Sequence, residues 1–110
     1  MLRIDAVAIE LVRDAMPMIR EIERFDVDLA RQARRAVMSA ALNVAEGGDQ
    51  PGKRRALHYR IAMGSAREAW TALLVAEAAG YVGKPSADIQ NKFSHVIGTL
   101  HKCLVPKKQS

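Results

Sequence analysis

Asn43, Glu46 and Gly47 are followed, seventeen residues beyond that glycine, by Gly64, Ser65 and Glu68. Each group sets a carboxylate beside an amide or a hydroxyl in an alanine-rich stretch. Two carboxylates brought together could act as a general acid and a general base. They could instead form a buried ion network, with Arg35 neutralising one or both and Asn43 and Ser65 completing the hydrogen bonds. Polar groups are costly to bury unless they satisfy one another, and the network is the reading adopted here: Arg35, Asn43, Glu46, Ser65 and Glu68. Di-iron bundles need paired Glu-x-x-His motifs, but Glu46 is followed at that spacing by Asp49 and Glu68 by Thr71. His58, His95 and His101 lack the His-x-x-x-His spacing of a helical zinc site. Gly47-Gly48 has no Lys-Ser/Thr after it, as a phosphate loop would, and Ser65 has no histidine on its face. The expectation is a protein with no metal, no cofactor and no catalytic residue.

Cations are the other chemical signal. Arg31, Arg34 and Arg35 cluster in one segment, Lys53-Arg54-Arg55 open another, and Lys53, Arg60 and Arg67 recur every seven residues. Such a stripe could follow a phosphate backbone in RNA or DNA, which makes Arg31, Arg34, Lys53, Arg54, Arg60 and Arg67 the candidate nucleic-acid-binding residues. It could also be a solvated helix face. The net charge of +5 favours polyanionic partners to the same modest degree. Aromatic residues do not interleave with the cations, so stacking on single strands finds no support.

The elements that must position these groups are helices. From Ile4 to Phe25 apolar residues recur at helical spacing, with Pro17 inside the run, where a kink rather than a break is expected. Asp26 or Asp28 can cap a second helix, about Val27 to Glu46, whose core stripe is Leu29, Ala33, Ala36, Val37, Ala40 and Val44. Met38 and Leu42 lie opposite that stripe and would stay wet in a monomer, which points to a second chain as their cover. Gly47 to Gly52 should end this helix and turn the chain. A third helix runs from about Lys53 to Ala79, with Gly64 on its far side, where another helix is expected to cross. Ser86 caps a fourth, which carries Ile89, Phe93, Val96, Ile97, Leu100 and Leu104 and ends at Pro106 before a frayed basic tail, 106–110. Short connections make this an all-α, antiparallel up-down four-helix bundle.

One domain spans 1–110, as its length requires. Only five residues are aromatic, so an alanine-rich core with closely spaced helices is expected. Cys103 is the sole cysteine, which excludes an internal disulfide and suits a reducing compartment. No apolar run is long enough to span a membrane, and Asp5 and Glu10 interrupt any signal-like segment. The expected location is the cytoplasm.

Gln32-Ala33-Arg34-Arg35-Ala36, Ser39, Asn43-Val44-Ala45-Glu46-Gly47, Ile61-Ala62-Met63-Gly64-Ser65, Glu68 and Gly80-Tyr81 together resemble a known family. It is the four-helix-bundle family of proteins encoded in 23S rRNA intervening sequences. The likeness covers about Leu29 to Val82, while the first and last helices match in pattern alone. Ala41 stands where the family usually has proline, Trp70 at a common acidic position and Ala69 at a common leucine. The resemblance implies a homo-oligomer, a pentameric ring, without enzymatic activity. Through related accessory proteins of diversity-generating retroelements it also implies nucleic acid and a reverse transcriptase as partners. A protein-interaction adaptor without nucleic-acid affinity is the alternative.

Overall fold

A computed structural model describes residues 3–105. Pro106 and the basic tail lie outside the described residues. The four helices are α1 (Ile4–Glu23), α2 (Val27–Gly48), α3 (Gly52–Ala78) and α4 (Ala87–Leu104). Each packs on the next in the chain, and α1 also packs on α4, closing the square of an up-down bundle. The rod measures 49 × 23 × 22 Å. Among the described residues no helix is long and apolar enough to cross a membrane.

The local signals act as expected. Asp26 accepts a hydrogen bond from the Leu29 amide, and Ser86 from the Ile89 amide, so each satisfies an orphan donor of a first turn. Pro17 sits on the exposed side of α1, which continues through it without a break. Gly80 adopts a positive φ of 82° just past α3, the left-handed stop that glycine allows.

Half of the 22 buried hydrophobic residues are alanine, and they concentrate in α2 and α3. Ala30, Ala33, Ala36 and Ala40 meet Ala62, Ala66, Ala69, Ala72 and Ala76, so these two backbones approach closely along most of their length. Larger side chains fill the opposite half: Leu11, Ile19 and Ile22 from α1, Phe93, Val96 and Leu100 from α4. Trp70, which departs from the family pattern, tilts against Phe93 with ring centroids 5.2 Å apart. Lys92 clamps α4 to α1: its ammonium bonds Asp14 and Asp88 and lies 3.6 Å from Glu10. Hydrogen bonds to Asp14 and then Asp88 hold its pKa well above the ordinary lysine range, so it stays charged at neutral pH.

Candidate functional site

Two hydrogen bonds set the register between α2 and α3. The Ser39 and Ser65 hydroxyls lie 2.9 Å apart, and His58 Nδ1 is 3.0 Å from Asn43 Oδ1. Asn43 donates its amide N–H back to the Ser39 carbonyl at 2.9 Å and to Ser39 Oγ at 3.3 Å. Its oxygen therefore faces His58, which must donate from Nδ1. Arg55 completes the lock: its guanidinium donates to the carbonyls of Gly47 and Gly48 at 3.1 and 3.3 Å. Both carbonyls belong to α2's last turn, and that of Gly47 also accepts from the Gln50 amide at 3.2 Å. That cap lets both glycines stay helical, so α2 runs to Gly48 instead of ending at Glu46.

The hydroxyl and amide half of the expected network is thus present, with Ser39 and His58 added. Its charged half is not. Arg35, Glu46 and Glu68 are exposed, and no buried charged residue occurs among the described residues. No ion pair links the three there. The reason is the alanine seam. Small residues occupy the contact itself, and positions 35, 46 and 68 fall on its outer flanks, within reach of water. Glu46→Ala and Glu68→Ala are accordingly expected to change the stability of the isolated chain by no more than about 0.5 kcal/mol. Urea denaturation of dilute protein checks this, and a loss of several kcal/mol would restore the buried ion network.

Arg35, Ser39, Ser65 and Glu68, with Gln32 and Ala36, line a shallow groove of about 370 Å³ between α2 and α3. Glu46 is not part of it, so the two carboxylates do not flank one cavity. Among the described residues no cluster of histidine, cysteine or carboxylate could hold a metal. Nor does a helix cross at Gly64, where an added Cβ would meet nothing within 4 Å.

Lys53, Arg54, Arg60 and Arg67 are all exposed on α3 and form no ion pair among the described residues. Arg31 and Arg34 differ: they lie 3.6 Å from Asp28 and 3.7 Å from Glu23. The α3 cations are therefore the stronger half of the basic surface.

Met38 and Leu42 are 45% and 67% exposed, and with Ile9, Val12, Arg13 and Ala41 they line an apolar groove between α1 and α2. The chain matches the family model of the 23S rRNA-intervening sequence protein over residues 2–102. It belongs to that family. The match takes in all four helices, including α1 and most of α4, which the motif residues alone did not reach. Among curated proteins and among solved structures no significant match was found. Within this family member, the motif residues divide by task. Asn43, Ser65, Gly47 and the alanines join α2 to α3, while Arg35, Glu46, Gly64 and Glu68 face outward.

His58 and Arg55 were not singled out from the sequence for these contacts. The Ser39/Asn43 spacing of four is a visible signal for the back-bond within α2. The partners on α3 depend on the register across the 49–51 connection, which sequence spacing does not reveal.

Proposed function

We propose that this family member is a non-enzymatic scaffold that assembles into a ring of identical chains, five of them, and binds nucleic acid through the outer face of α3. The observation that carries the binding half is the row Lys53, Arg60 and Arg67. These cations stand about 10.5 Å apart on a 1.5 Å rise, roughly three 3.4 Å steps of a nucleic-acid strand. No carboxylate among the described residues neutralises them. The assembly half rests on Met38 and Leu42, large apolar residues left wet in the single chain. On this reading the protein works in the cytoplasm as an accessory factor. A relation to the accessory proteins of diversity-generating retroelements, proposed with it, would add a reverse transcriptase to its partners.

Mobility shift against RNA and DNA at several salt concentrations tests the binding. If three cations per subunit each neutralise one phosphate, log K falls with log salt at a slope of about −2.7. Raising salt from about 50 to about 200 mM then weakens binding roughly 40-fold for one engaged subunit. Arg60→Ala should flatten the slope by about one unit without altering sequence preference, since phosphate contacts position rather than specify. No shift with either nucleic acid at low salt refutes the binding and leaves the adaptor.

A further inference from the structure

A cleft of about 640 Å³ opens at the end of the bundle where α1 begins and α4 ends, within the size range of small-molecule sites. All four helices line it, with Ile4 from α1, Val44 and Ala45 from α2, Tyr59 from α3 and Thr99 from α4. Cavities between facing helices are where bundles hold ligands. Val44 is buried and Ile4 half-buried, so the floor is apolar. Tyr59 is half-buried too, and the bare backbone of Gly47 receives one edge of its ring, which holds the ring as a wall. On α4, His95, Thr99 and Lys102 follow at spacings of four and three. One face of that helix therefore brings an imidazole, a hydroxyl and an ammonium to the same space.

Among the charged groups of the cleft, Arg3 and Asp5 already pair at 3.0 Å, and Asp5 also accepts from the Ala6 amide. The side chains of Asp49, Tyr59, His95, Thr99 and Lys102 have no hydrogen bond or ion pair among the described residues. The open charges are thus Lys102 and Asp49, of opposite sign. They stand across the cleft from each other, because α2, which ends at Asp49, and α4, which carries Lys102, are diagonal in the square and do not pack together. We propose that this cleft binds a free mononucleotide with an amino-bearing base. The phosphate meets Lys102, the base amine donates to Asp49, and the flat base lies against Tyr59. An aromatic amino acid carries both of its charges on one carbon and does not span the two walls. A nucleotide sets its anion and its base donor at opposite ends of the molecule.

Calorimetric titration of the full chain with AMP tests the site. AMP should bind once per chain with a Kd below about 1 mM. Adenosine, which lacks the anion, and ribose 5-phosphate, which lacks the base, should each bind at least about tenfold more weakly. Lys102→Gln should weaken AMP about tenfold, as for one lost hydrogen bond to a charged group, and leave adenosine unchanged. Ala45 is exposed on the cleft wall, so Ala45→Trp should fill the space without disturbing the core and abolish binding of both. Arg60→Ala and Arg67→Ala lie on the outer face of α3 and should leave AMP unaffected, which separates this site from the basic row. No heat with AMP at low millimolar concentration overturns the site. Binding that survives Ala45→Trp but is lost in Arg60→Ala overturns its location. Ribose 5-phosphate binding as tightly as AMP overturns the role of Tyr59 and reduces the contact to phosphate alone.

Discussion

Phe93→Ala should lower the free energy of unfolding by about 3–5 kcal/mol. The ring is 2% exposed and rests on Trp70, and α4 contributes just Val96 and Leu100 beside it to the fully buried core. Collapse around the vacancy is restricted, because α2 and α3 already meet through alanines and the large neighbours, Trp70 and Leu73 among them, are themselves packed in the core. A small domain has about 5–15 kcal/mol of stability in total, so about a fifth or more would go. Urea denaturation of the dilute chain should show the midpoint falling with the slope unchanged. A midpoint within error of wild type would mean that α4 is not held by this ring.

Gly47→Ala should destabilise by about 1–3 kcal/mol, although alanine is worth about 1 kcal/mol more than glycine in a helix interior. A Cβ at Gly47 would lie 2.6 Å from two carbons of the Tyr59 ring and 3.2 Å from His58 Cβ. The ring cannot retreat cheaply, and moving His58 strains its bond to Asn43. The neighbouring glycine supplies the control. Gly48 has nothing within 4 Å and no positive φ, so Gly48→Ala should be neutral or stabilising by up to about 1 kcal/mol. Opposite signs at adjacent glycines are the expected result in thermal melts. Equal effects would remove the packing explanation.

These two sites mark where sequence reasoning reached and where it stopped. Phe93 was legible because α4 repeats its apolar residues at helical spacing, and Ser86 and Asp26 were legible as caps. Helix ends fell within two residues wherever local chemistry governs them. Gly47 and Gly48 read as a turn because their helical ending depends on Arg55, a side chain from the next helix. Glu46 and Glu68 read as buried because they share a flank with Asn43 and Ser65. Which flank positions reach water is settled by how closely two helices approach, and that distance comes from the alanine seam as a whole. Gly64 read as a place where another helix crosses, but no helix of its own chain arrives there, because the glycine lies on the exposed side of α3. The α3 cations were visible as a stripe, whereas the pairing of Arg31 and Arg34 with Asp28 and Glu23 depends on side-chain reach.

The chain enters and leaves the bundle at one end. Arg3 and Ile4 from the start of α1, and Thr99 and Lys102 from the last turns of α4, line the same cleft of about 640 Å³. At the far end Phe25 stacks on Tyr81, centroids 5.5 Å apart, pinning the α1–α2 corner to the α3–α4 corner. Labels attached at either terminus would therefore report on the same pole of the rod, and in a ring of parallel rods they would crowd one rim and leave the other bare. For the same reason a short linker joining the two ends could permute the chain. New ends could then be opened at the 49–51 connection, on that same pole, or at either aromatic-pinned corner, on the opposite one. If the proposed ring forms, a fluorescent donor on one permutant and an acceptor on the other would measure the height of its wall.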